Sequence, residues 1–179
     1  MFSVSPVLAQ EGDGQAPVED ATDAVTPTSQ DVVRVAPIEL KIPALGVDAD
    51  VLPVGLAEDG AMGTPTDPDT VAWWSLGNGT GVPGNVVLAA HVDWGGQLRV
   101  FGQLNQLAPG DSVVVVDELA REYWYEVSWV RVVEADSAPI DEIFGNGDNY
   151  ELTMITCGGE FDHVRHQYLD RVIVRAHKI

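Results

Sequence analysis

Short runs of β-branched and aromatic residues, each cut off by Gly, Pro or Asx, leave this chain little room for a helix-rich fold. Strand-like segments are legible at residues 32–42, 49–54, 71–76, 85–90, 112–116, 123–133, 152–156 and 172–176. Alternation is plain in Tyr123, Tyr125, Val127 and Trp129, which would share one face of a strand. Pro37 confines part of the first segment to a sheet edge or delays its start. Turn signals separate the runs: Gly46-Val47-Asp48, Asp59-Gly60, the loop 64–68, the Gly-rich residues 77–84 and Pro109-Gly110. Helical material is scarce. Leu98, Phe101, Leu104 and Leu107 recur about every third residue, which suits a short helix or 3-10 turn packed on a core. Ser137 as a cap, with Pro139 in the first turn, predicts a brief helix before Gly145. With no internal repeat and strands outnumbering helices, the pattern points to an all-β fold, a closed β-barrel with short helical excursions.

The 179 residues are 45% hydrophobic, enough for one good core and too few for two large ones. One folded domain is expected, over residues 32–179. A formal net charge of −19 would repel phosphate backbones and anionic lipid heads, which argues against a nucleic-acid partner. The Gly-rich stretch 77–84 is followed by neither Gly-Lys-Ser/Thr nor a helix-opening Gly-x-Gly-x-x-Gly, so no nucleotide site is read there. The paired Trp73-Trp74 reads as packing rather than substrate contact. Residues 10–31 consist mostly of Gly, Pro, Ala, Ser, Thr, Gln and acids, without a Lys, Arg or aromatic residue. Such a stretch reads as a disordered acidic linker. Residues 1–9 are mildly apolar but too short to span a bilayer, which takes about twenty apolar residues. Val7-Leu8-Ala9 before Gln10 looks like the small-residue end of a secretory signal whose earlier part is missing. Residues 1–31 are therefore expected to be a truncated signal and linker, and any membrane attachment would come through a missing N-terminal segment.

A single cysteine, Cys157, permits no internal disulfide and remains free to react. It ends the run 152–156 just before Gly158-Gly159, which reads as a buried strand opening into a flexible loop. His91 ends the apolar run 86–90, and Arg171 begins the strand-like run 172–176, so an imidazole and a fixed cation hold comparable positions. A lone Cys with a distant His is a candidate nucleophile whose partner is supplied by the fold. Strand parity puts Arg175 on the same face as Arg171 and cannot choose between them. His163 and His166 could join Cys157 on zinc, but the loop lacks a second thiol and the spacing fits no usual zinc pattern, so no metal is expected. The acidic pairs Glu58-Asp59 and Asp117-Glu118 could bind calcium but read better as solvated turns.

This Thr-Cys, His and Arg set resembles the sortases, the cysteine transpeptidases of bacterial surfaces. Ile155-Thr156-Cys157 matches their Thr-Leu-x-Thr-Cys signature, with Met154 and Ile155 varying its middle. Residues 42–51, 54–56, 59–62, 90–93 and 107–111 are also similar to sortase segments, in the order that family shows. The likeness spans about residues 38–177 and is most like classes E and F. It implies a closed eight-stranded barrel with short helices and 3-10 turns, no cofactor, and an extracytoplasmic, membrane-tethered site of action. The offsets from Ala176 and Cys157 favour Arg171 over Arg175 in this comparison. Cys157, His91 and Arg171 would be catalytic and would meet at the rim of the barrel. Thr156, Asp93 and Trp94 are the expected substrate-binding residues. The implied partners are a Leu-Pro-x-Thr-Gly-type sorting peptide of exported proteins and an amine acceptor, either a cell-wall peptide or a pilin lysine.

The chemistry is feasible on ordinary ionisation. An unperturbed thiol near ~8.5 beside an imidazole near ~6.5 leaves about one molecule in a hundred as the reactive ion pair. The imidazolium would protonate the departing amine, and the guanidinium would steady the oxyanion. Two other readings remain open in the sequence. One is a different cysteine peptidase or hydrolase, although the Ser-x-Gly-Cys-x-Arg of L,D-transpeptidases is missing around Cys157. The other is a surface module that keeps the barrel without the catalysis.

Overall fold

Pro37 opens the first strand instead of interrupting one. Strand β1 runs Pro37–Ile42, a placement that spares the sheet a missing N–H in mid-strand. The computed structural model describes residues 34–58 and 60–179. The expected signal and linker, the boundary at residue 32 and Asp59 lie outside the described residues. A 3-10 turn at Pro43–Leu45 ends on Gly46 in the left-handed conformation (φ 64°), and β2 follows at once over Val47–Val54. The remaining strands are β3 Val71–Trp74, β4 Gly84–Ala89, β5 Asp93–Trp94, β6 Gln97–Leu98, β7 Ser112–Asp117, β8 Glu122–Glu134, β9 Tyr150–Asp162 and β10 Gln167–Lys178.

Eight of these strands close into a barrel in the order β1-β2-β3-β4-β9-β10-β8-β7, while β5 and β6 form a separate hairpin. Pairing is antiparallel except between β2 and β3 and between β4 and β9. The stretch 97–107 divides between β6 and a 3-10 turn at Leu104–Gln106, whose Leu104 joins Phe101 in the main core. Alternation along each strand sorts its side chains onto two faces. Val86 and Leu88 of β4, Leu152 and Met154 of β9, and Val172 and Val174 of β10 belong to the main core. Val87 and Ile173 lie on the opposite, outer face and form a small cluster with Ile143. Trp73 and Trp74 divide in the same way: Trp73 enters the core, and Trp74 packs outside against Phe144, their ring centroids 5.4 Å apart.

Helix α1, Ile140–Phe144, is the segment that covers the outer face. Ser137 does not cap it. Ser137 lies in a 3-10 turn at Ala135–Ser137, and the cap position is Pro139, which has no hydroxyl to offer. The helix is instead held from the barrel wall. Asn85 Nδ2 donates to the Ile143 carbonyl (2.7 Å), and Thr153 Oγ1 donates to Asn85 Oδ1 (2.8 Å). Arg175 Nη2 donates to the Glu142 carbonyl (2.5 Å) while Nη1 pairs with Glu151 (2.5 Å). A five-residue helix cannot sustain itself by its own hydrogen bonds, so these buried anchors fix its position.

Asp117 is a structural carboxylate, its side chain fully buried. It accepts hydrogen bonds from Leu119 N, Arg121 N, Arg121 Nε and Tyr123 Oη. Burial alone would raise its pKa; the hydrogen bonds from Arg121, Leu119 and Tyr123 outweigh it and hold the carboxyl below the usual range. With its oxygens so occupied, it is not the solvated turn acid, or calcium ligand, that its sequence context suggested.

Candidate active site

Parallel pairing is what brings the distant residues together. Strands β4 and β9 run in register from Gly84 opposite Tyr150 to Ala89 opposite Ile155, so both point toward the same end of the barrel and His91, just past β4, comes near Cys157. Ala90 N donates to the Ile155 carbonyl (3.3 Å), and Thr156 Oγ1 donates to the Ala90 carbonyl (2.7 Å). The buried Thr156 hydroxyl thereby clasps the peptide that leads into His91. On the other side β10 runs antiparallel, with Arg171 directly opposite Cys157. Cys157 follows Thr153 and Ile155 at strand spacing and shares their outward face. The site thus lies on the outward face of these strands, beside the end of β4.

Strand β9 does not break at the glycines. It continues to Asp162, with one extra residue bulged out opposite Tyr168 and Asp170. A side chain at Gly158 would press on Val172, and one at Gly159 (φ 74°) would overlap the Asp170 carboxylate. The Gly pair therefore serves close packing and a left-handed kink, where the sequence suggested a loose loop.

His91, Cys157 and Arg171 line one cavity of about 230 Å³. Its floor is Ala89, Ile155 and Thr156, and its walls come from residues 62–65 and Phe144. Cys157 is half-buried. Burial pushes its thiol pKa up, the Arg171 cation pulls it down, and Asp93 pushes it up again, so the thiol stays mainly protonated near neutral pH. Arg171 Nη1 donates to the carbonyls of Tyr168 (3.1 Å) and Asp170 (2.8 Å), which tethers the guanidinium by one nitrogen. Its other donors face no protein acceptor among the described residues. His91 Nε2 is buried without a hydrogen-bond partner, and the Trp94 ring meets the imidazole edge-on at 5.1 Å. Such a group of thiol, imidazole and guanidinium on a mostly apolar surface can attack, protonate and stabilise charge on one bound carbonyl.

The expected neighbours fall in different places. Thr156 spends its hydroxyl on Ala90, Trp94 is half-exposed on the β5–β6 hairpin and packs on His91, and Asp93 lines a second cavity on the far side of Cys157. Arg175 shares the face of Arg171 but is committed to Glu151 and the Glu142 carbonyl. His163 packs on Phe161, His177 shares a hydrogen bond with Ser128, and no cluster of three metal-ligating side chains occurs among the described residues. Asp162 accepts from Val164 N and Arg165 N and closes the β9–β10 turn. Sequence reasoning missed Met62, Pro65 and Phe144 as cavity walls, and Tyr168 and Asp170 beside the thiol. Phe144 carried a signal, an aromatic at the end of a helix too short to stand alone; Met62 closed the family-like segment 59–62, which by itself assigned it no place in a cavity.

The profile of the Sortase domain family matches residues 40–179. Among solved structures, the chain is similar to the sortase D5 transpeptidase of Clostridium perfringens, at 22% identity over 80% of this chain and 79% of that one, with a TM-score of 0.59. It is also similar to sortase C-1 of Actinomyces oris, at 21% identity over 83% and 76% of the two chains, with a TM-score of 0.62. A lid mutant of Corynebacterium diphtheriae sortase A aligns at 18% identity over 84% and 74%, with a TM-score of 0.61. At these identities the structural likeness is one of fold. No curated protein matches the chain.

Proposed function

The chain belongs to the sortase family, and from that premise we propose that it is a cysteine transpeptidase in which Cys157 is the nucleophile, His91 the proton carrier and Arg171 the oxyanion partner. The observation that carries this reading is the single apolar cavity on which all three side chains open. A sorting peptide of the Leu-Pro-x-Thr-Gly type would lie between residues 62–65 and Phe144, its apolar residues against Ile155 and Ala89. The minor thiolate of Cys157 adds to the scissile carbonyl carbon. Negative charge then gathers on the oxygen, where the free guanidinium donors of Arg171 stabilise it. His91, as imidazolium, gives its proton to the departing amine as the peptide C–N bond breaks and the acyl-thioester remains. An amine acceptor resolves the thioester and water does so wastefully.

The reaction takes place outside the cytoplasm on exported proteins. Among the described residues, no helix is long and apolar enough to cross a membrane. The test is an intact-mass measurement after incubating the protein with a panel of sorting peptides. An acyl adduct localised to Cys157, lost in Cys157→Ala and His91→Ala and retained in His163→Ala, is the expected result. Absence of any adduct, together with a thiol inert to iodoacetamide, would turn the reading towards a non-catalytic surface module.

A further inference from the structure

The imidazole is the least tethered of the three reactive groups. Arg171 is paired opposite Cys157 and its Nη1 holds two carbonyls, whereas His91 Nε2 is buried with no hydrogen-bond partner. What meets the His91 ring is Trp94, edge-on at 5.1 Å. Trp94 belongs to the β5–β6 hairpin, which is not part of the barrel. Trp94 and Leu98 are largely exposed there, so burial does little to hold the hairpin in place. Among the described residues, one side-chain hydrogen bond joins the paired residues of the hairpin to the barrel wall: the Tyr168 hydroxyl of β10 donates to the Asp93 carboxylate. The two side chains meet in a cavity of about 390 Å³ that borders Cys157. Tyr168 is itself fixed on two sides. Its ring meets Phe161 of β9 edge-on at 5.1 Å, and its carbonyl accepts from Arg171 Nη1 at 3.1 Å. The bond to Asp93, together with burial, raises the phenol's pKa above its ordinary value, so the hydroxyl stays a donor through the neutral range.

We propose that Tyr168 is a positioning residue of this site: through Asp93 it holds the β5–β6 hairpin so that Trp94 sets the His91 ring, while its carbonyl holds the Arg171 guanidinium. The inference rests on the transpeptidase reading above and adds to it how imidazole and guanidinium are kept in step. One residue of β10 thus reaches both of the groups that flank the thiol. A ring free to turn about its side-chain bonds spends only part of its time aimed at the sulfur and at the departing nitrogen, and that loss of alignment slows the chemical step. Neither Tyr168 nor Asp93 lines the apolar groove that takes the donor peptide. The latch therefore acts on proton transfer and leaves donor binding alone.

Tyr168→Phe tests this, because the ring stays on Phe161 and the carbonyl on Arg171 while only the hydroxyl is lost. In the full chain, the maximal rate of adduct formation on Cys157 should fall about tenfold, the size expected for one hydrogen bond to a charged group, while the half-saturating concentration of sorting peptide stays within about twofold. In an Asp93→Ala background the same change should cost almost nothing more, because its partner is already gone. A loss of equal size in both backgrounds, a rise in half-saturating concentration at an unchanged maximal rate, or no loss at all would overturn the latch. A second measurement needs no turnover. The ring-proton resonances of His91, assigned by their absence in His91→Gln, carry the ring-current shift of Trp94 and should move towards those of an ordinary histidine in Tyr168→Phe. Resonances that stay in place would overturn the latch as well. Failure of the unaltered protein to form any adduct on Cys157 would overturn the transpeptidase reading, while a displaced His91 resonance would still uphold the placement of the ring by Tyr168.

Discussion

Leu152 and Met154 of β9 point into the barrel, while Thr153, Ile155 and Cys157 of the same strand point out, and the two faces answer to different physical demands. The inner face is filled by aliphatic and aromatic side chains, with Leu152 and Met154 wholly inaccessible to water. Its requirement is volume. The outer face is a mixture of polar clasps and apolar cover. Thr153 holds Asn85, Asn85 holds α1, Ile155 floors the cavity, and Cys157, the proposed nucleophile, lines it. β10 repeats the division, with Val172, Val174 and Ala176 inside and Arg171 and Arg175 outside. A strand in a barrel can therefore carry stability and chemistry on alternate residues, each free to change without the other.

That independence can be broken by experiment. The largest effect is expected at Cys157→Ala, where transfer should fall by at least about 10⁴-fold, roughly 5 kcal/mol of barrier, while the denaturation midpoint hardly moves. A large loss of stability in this variant would mean that the thiol is part of the packing after all. Met154→Ala is the converse change. It should cost about 3 kcal/mol in denaturant unfolding, since the barrel interior collapses only partly around a lost side chain. Turnover per folded molecule should survive it. Arg175→Ala sharpens the comparison, because this outward residue acts structurally. Losing its contacts to Glu151 and to the Glu142 carbonyl should cost about 2 kcal/mol and raise KM for the donor peptide severalfold, as α1 carries Phe144 away from the cavity. The smallest effect concerns ionisation. The rate of iodoacetamide alkylation of Cys157 should rise with pH through a midpoint above that of an ordinary thiol. Arg171→Ala should move the midpoint further up and Asp93→Asn should move it down, because the cation favours the thiolate and the carboxylate opposes it.

Much of the inner face was readable from the sequence because β-branched runs and turn residues report directly on strands. The runs 85–90, 112–116 and 123–133 recur as β4, β7 and β8 with small changes at their ends. His91 and Cys157 stood out because each terminates an apolar run, and Arg171 stood out beside a third. The outer wall was harder to read. Its cavity is made by residues 62–65 and Phe144 from connecting segments, and no periodicity records how such segments drape over a sheet. Gly158-Gly159 misled because glycine marks loops, bulges and close contacts alike, and only the Asp170 carboxylate opposite shows which applies. Ser137 misled because its capping preference is worth about 1 kcal/mol, less than the combined pull of Asn85 and Arg175 on α1. Parity left Arg171 and Arg175 equivalent, and the pairing of Arg175 with Glu151 separates them.

The placement of β10 has a consequence for assembly. It is the last strand in chain order, yet it is bonded to β8 on one side and to β9 on the other. Its pairing with β9 is a local hairpin, but β9 must also find β4 far back in the chain, and such long-range pairings are slow to form. During synthesis the thiol would emerge before the guanidinium that faces it, and the wall around it could not close until the final strand slotted in. The wall that carries Cys157 is thus complete only when the strands on both of its sides are in place.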